Sequence, residues 1–238
     1  MRSTKWHWLI ALDIVAGLAM LGAVYMALIF APDAANLASE NEIKAQHIFY
    51  FHMGCNVGAA IGLFTNFIAS ILFLVTRRRF WDSIAVSAAE LGLAFGIGVL
   101  ASGSIWARPT WNTWWTWDPR LTSAAVTVLI YVAYLMLRGA VEDPGRRARF
   151  AAVYGIFGFV SVPITFLSIR LWRTIHPVVF GAANPDARGG FALGPNIRLA
   201  LMYSMAAFAL LAITLLIHRV RLERRREEVE QLQERLTP

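Results

Sequence analysis

Residues 84–123 read IAVSAAELGLAFGIGVLASGSIWARPTWNTWWTWDPRLTS. The opening stretch, 84–105, is apolar or small apart from Glu90 and scattered serines. About 20 such residues cross the hydrocarbon core of a bilayer as a helix. The stretch runs into five of the chain's nine tryptophans, Trp106, Trp111, Trp114, Trp115 and Trp117. Asp118-Pro119 follows, a helix N-cap with proline in the first helical position, which predicts a new helix from Pro119. Spanning helix, aromatic loop and returning helix are the repeating unit of a membrane bundle, since only helices or closed barrels satisfy backbone hydrogen bonds in lipid.

Working outward, five more runs have the length and apolarity of spans: Trp8–Phe30, Ala45–Thr76, Leu121–Leu137, Phe150–Ile169 and Leu199–Ile217. The fifth span in chain order carries Pro163, which predicts a kink. The chain as a whole, 1–238, reads as one all-α integral membrane domain of six transmembrane helices, with a Trp-rich loop at 106–120 and a charged tail at 218–238. The tail has a helical charge pattern, with Leu222, Val229 and Leu236 seven residues apart. Two heptads are too few for a coiled coil. The tail therefore reads as a solvated helix, with a docking helix for a cytosolic partner as the alternative.

The composition agrees: 58% hydrophobic and 16% charged, against roughly 45–50% and 25% in soluble domains. The net charge of +7 would point to nucleic acid in a soluble protein; here the arginines cluster between apolar runs as topology signals, and no nucleic-acid partner is expected. With the N-terminus inside, 15 of the 22 basic residues fall on the inner side and 7 on the outer. That bias predicts both termini in the cytoplasm and the Trp-rich loop outside. A lone cysteine, Cys55, excludes an internal disulfide and dithiol transfer. No GxxxxGK[ST] phosphate loop is present, so ATP hydrolysis by that route is excluded. The first apolar run lacks a small-residue cleavage site and reads as a retained helix.

Interfacial belts use tryptophans singly or in pairs. Five in one short segment, interleaved with Asn112, Thr113 and Thr116, read as a platform for something large, flat and apolar. The alternative is an anchor wedged among lipid headgroups. Trp111, Trp114 and Trp115 have the spacing that one face of a short helix requires. His52, near the outer end of the second span, and His176, in the outer loop after the fifth, lie on the same side. Two neutral imidazoles either side of a flat apolar plate are one way to ligate haem iron axially; the competing reading is two hydrogen-bonded structural histidines. His47, five residues from His52, is rotated about 140° from it, so only one of them faces a given site. His7 and His218 fall on the opposite side and read as headgroup contacts. Arg108 and Arg120 flank the loop and are suited either to ligand carboxylates or to snorkelling at the interface. Glu90, inside a span, is a functional candidate with no role assigned.

WNTWWTWDPRLTS at 111–123 resembles the tryptophan-rich "WWD" signature of the haem-handling superfamily of cytochrome c biogenesis. FYFH at 49–52, SGSIWARP at 102–109, VPI at 162–164 and WRTIH at 172–176 extend the likeness over roughly residues 45–180. Length and helix number make the chain most similar to the small six-helix branch, the cytochrome c maturation protein C family (CcmC). The larger CcmF-type and CcsA-type synthase components are the alternative. The chain departs from the pattern at Met53-Gly54-Cys55-Asn56 and at Asn112, where glycine is common. The resemblance implies an inner-membrane haem-binding and transfer protein rather than an enzyme. Its cargo would be haem b, ligated by His52 and His176. Trp111, Trp114, Trp115 and Trp117 would form the platform and Asp118 would close the motif, with Arg108 and Arg120 near the propionates. The implied partners are the periplasmic haem chaperone CcmE, the ABC transporter subunits CcmA and CcmB, and the small membrane protein CcmD.

Overall fold

The computed structural model describes residues 4–35, 37, 39–179, 186–188, 190 and 192–236. Arg2, counted in the charge bias, and the last two residues of the tail lie outside them. The described residues are all-helical or irregular: α1 (Thr4–Tyr25), ending in a π-helical turn (Met26–Phe30), α2 (Glu40–Thr76), α3 (Arg79–Trp111), α4 (Pro119–Ala140), α5 (Pro144–Phe159), α6 (Ser161–Leu171) and α7 (Pro195–Leu236). With α5 and α6 taken as one path, six segments are long and apolar enough to cross a bilayer.

The centre of the bundle is the α2–α3 hairpin. Gly54, Gly58 and Gly62 repeat every fourth residue and so share one face of α2. A Cβ at Gly62 would lie 2.5 Å from the backbone nitrogen of Gly92, and one at Gly54 2.4 Å from the Phe208 ring of α7. Where lipid tails are as apolar as leucine, such close backbone approach is the main source of helix association. The turn between α2 and α3 places Arg77 in the left-handed region, with its N–H donating to Phe73 O. The path of α5 breaks at Val160, three residues before Pro163. Proline has no N–H for the carbonyl four residues back, Phe159, and its ring crowds that carbonyl.

Several charged groups inside the bundle are paired. Arg138 of α4 grips Asp82 of α3 with two hydrogen bonds, 2.6 and 3.0 Å. Glu90 of α3 accepts from both Nε and Nη2 of Arg219, whose Nη1 donates to Glu223. Glu90 is thus a tie between α3 and α7. His218, expected among headgroups, is partly exposed and lies 2.7 Å from Asp13 of α1, where α1 packs along α7. The tail continues α7 without a break. It packs along the start of α3, where Ser83 Oγ donates to Glu227 (2.8 Å) and the Arg224 guanidinium covers the Phe80 ring.

Candidate functional site

At the end of the bundle where α3 meets α4, a cleft of about 130 Å³ opens between α2, α3, α4, α6 and the segment after α6. His52 reaches it from α2, with Phe49, Met53 and Asn56 of the same helical face. The helix begins at Glu40, under a capping box between Ser39 and Glu42, so His52 lies 12 residues in, deeper than its apolar run suggests. His176 reaches the same cleft from the segment after α6. His47 is turned away, its Nδ1 2.7 Å from the Ala27 carbonyl.

The tryptophans divide. α3 continues through Pro109 to Trp111, so Trp106 and Trp111 are helical and only 112–118 form a loop. Asn112 ends the helix in the left-handed conformation that asparagine and glycine tolerate, which accounts for its place where glycine is common. No short helix follows, so Trp111, Trp114 and Trp115 do not share a helical face. Trp106, Trp111 and Trp115 line the cleft; Trp114 and Trp117 do not and are 58% and 81% exposed. Trp111 stands edge-on to Trp106 (5.2 Å between centroids) and near the His176 ring (6.3 Å), with its Nε1 donating to Arg188 O. The buried Nε1 of Trp115 has no hydrogen-bond partner among the described residues.

Asp118 holds the His176 segment in place. It caps α4 by accepting from the Arg120 N–H at 2.9 Å. The same carboxylate accepts from Thr174 Oγ1 (2.6 Å) and from the Ile175 N–H (2.9 Å). Thr174 Oγ1 in turn accepts from the His176 N–H at 3.1 Å. Asp118 is not in the cleft wall: both its oxygens are spent on tying the post-α6 segment to the start of α4, so it acts on the cleft through His176. Arg120 does line the cleft, and one Nη donates to Thr165 O of α6. Arg108 does not line it; its Nη1 donates to Asn112 O and Oδ1 (2.7 and 3.0 Å), closing the end of α3.

The His176 Nδ1 lies 2.9 Å from Pro177 O. A carbonyl only accepts, so Nδ1 carries the proton and Nε2 keeps its lone pair. Burial pushes this imidazole down to about 4, helped by the Arg120 guanidinium and opposed by the Pro177 bond, so it is neutral at neutral pH. Among the described residues no three His, Cys, Asp or Glu side chains group to hold a bare metal ion. Besides the two histidines, the cleft holds residues that sequence reasoning passed over: Ser104, Gly103, Asn56 and Thr165. Small and polar residues at 102–104 in an apolar span were the available signal for the first two.

A family model described as heme exporter protein C matches residues 2–235. Relatives carrying that name include a Bradyrhizobium diazoefficiens protein, 39% identical over 166 residues, which are 70% of this chain and 62% of that protein. The Escherichia coli K12 protein is 30% identical over 195 residues, 79% of this chain and 76% of the relative. The Rhodobacter capsulatus protein is 26% identical over 229 residues, 96% and 90% of the two chains.

Proposed function

Because this chain belongs to the heme exporter protein C family, we propose that it presents haem in the cleft and hands it to a chaperone for cytochrome c biogenesis. The observation that carries the reading is the convergence of His52 and His176 on one cleft lined by Trp106, Trp111, Trp115 and Arg120. The macrocycle lies against the indoles, which contribute apolar area and flat faces. His52 and His176 would hold the iron, and Arg120 and the unspent Trp115 N–H are donors suited to the propionates. Haem b is the cargo. The chain supplies placement and electrostatics, and the reactivity belongs to the haem. Delivery goes to CcmE, from a complex with CcmA, CcmB and CcmD. The cleft faces the periplasm and both termini the cytoplasm, in keeping with the 15-to-7 split of basic residues. Trp114 and Trp117, exposed beside the cleft, form its rim towards the chaperone.

Absorption spectroscopy of the purified protein, co-expressed with the chaperone, tests this. Wild type carries low-spin haem; His52→Ala and His176→Ala each lose occupancy and delivery, while His47→Ala keeps both. Equal loss from all three, or loss from His47→Ala alone, overturns the ligand assignment.

A further inference from the structure

We infer that Ser102 is a positioning residue that sets the tautomer and the orientation of the His52 ring, leaving Nε2 as its metal-binding nitrogen; the inference rests on the haem-presenting role proposed above.

Ser102 is buried in α3, one turn before Trp106. Its Oγ lies 2.6 Å from the carbonyl of Gly98 and 3.0 Å from the Nδ1 of His52. A hydroxyl has one proton to give. The Gly98 carbonyl only accepts, and two oxygens 2.6 Å apart with no proton between them would repel. The hydroxyl proton therefore sits on the Gly98 side. Towards His52, Ser102 Oγ is left only as an acceptor, so Nδ1 of the ring must carry the proton. In a neutral imidazole that puts the lone pair on Nε2. The ring lies in the cleft wall, where the Val99 backbone carbonyl is a further hydrogen-bond partner of the imidazole beside Ser102.

The next residue, Gly103, fixes where the ring lies. A Cβ there would stand 3.2 Å from His52 Cε1 and 3.6 Å from Nδ1, so any side chain would press on the ring. Ser102 and Gly103 thus form a seat: the hydroxyl sets the rotation and tautomer, and the bare Cα admits the ring. His176 reaches the same tautomer by a separate device, the Pro177 carbonyl. The two segments that bring histidines to the cleft, fixed by unrelated local interactions, present the same kind of nitrogen.

An acceptor on the far nitrogen of a ligating imidazole raises its basicity and fixes its plane, and loss of such a partner typically costs ~10–100-fold in metal affinity. The test uses the full chain in nanodiscs, titrated with haemin. Ser102→Ala is expected to weaken haemin binding ~10–100-fold. It is also expected to raise the midpoint potential, since a less basic imidazole stabilises ferric iron less. Ser102→Thr, which keeps the hydroxyl, restores both. Nitrogen-15 histidine NMR of the haem-free protein, with His52 assigned by its absence in His52→Ala, should show His52 protonated on Nδ1. In Ser102→Ala the two tautomers should mix. A His52 protonated on Nε2 in the wild type overturns the inference. So does a Ser102→Ala protein that matches wild type in affinity and potential. Where Ser102→Ala does not accumulate, the wild-type NMR decides alone. A wild type that binds no low-spin haemin but shows the Nδ1 tautomer defeats the haem reading and leaves the seat for His52 standing.

Discussion

Removing the Asp118 carboxylate should free the His176 segment without unfolding the bundle. Two of the three bonds that Asp118 accepts hold that segment, from Thr174 Oγ1 and from the Ile175 N–H. A hydrogen bond to a charged group contributes about 1.5–3 kcal/mol, so Asp118→Ala should lower the local opening free energy by about 3–6 kcal/mol. The lost N-cap of α4 adds about 1 kcal/mol at the adjoining helix start. The Ile175 amide reports the opening directly, because its proton is one of those held. At about 1.4 kcal/mol per tenfold, a 3 kcal/mol loss accelerates its exchange on the order of 100-fold. Asp118→Asn keeps one acceptor oxygen and should lose one bond, for an acceleration of about tenfold. Hydrogen–deuterium exchange with mass spectrometry over 172–179 is the assay, with the buried Leu201 turn of α7 as the internal reference. Haemin affinity should fall in the same order, since His176 must then be ordered at the moment of binding. If Ile175 exchanges within about threefold of wild type in Asp118→Ala, or if α7 accelerates equally, the carboxylate is not what holds the segment.

Three further outcomes follow from the same geometry. Trp115→Ala should lower haemin affinity by about 2–3 kcal/mol of lost apolar contact, whereas Trp117→Ala, at a side chain 81% exposed, should leave affinity intact; equal losses in a haemin titration would contradict the cleft assignment. Arg138→Ala should cost about 3–5 kcal/mol in thermal or denaturant unfolding in detergent, and the double Arg138→Ala, Asp82→Ala markedly less than the sum, because each single change strands a charge; additive losses would show that the pair is not coupled. A cysteine at Ala35 should be labelled from the periplasm by an impermeant maleimide and one at Arg225 should not, both being exposed at opposite ends of the bundle; the reverse pattern would invert the topology.

Much of this protein is legible along the chain because its signals are local. Apolar length marks the six spans, and the helices come out where the runs lie. Asp118-Pro119 caps α4 at the expected residue, since a cap is settled by three neighbouring positions. The Pro163 kink appears as the break at Val160, for the same short-range reason. Only the tertiary structure decided which groups meet. The spacing of Trp111, Trp114 and Trp115 fits a helix, but the chain leaves the helix at Asn112, so their directions depend on the loop's bonds to distant segments. Whether Asp118 faces a ligand or a loop is settled by a partner 56 residues away, and the seat of His52 by one 50 residues away. Asp13 and His218, 205 residues apart, are each unremarkable until α1 lies against α7. In lipid, hydrophobicity selects what enters the membrane but does not choose among helix neighbours. That choice falls to small-residue contacts such as Gly62 against Gly92 and to buried polar pairs, and both exist only once the helices have packed.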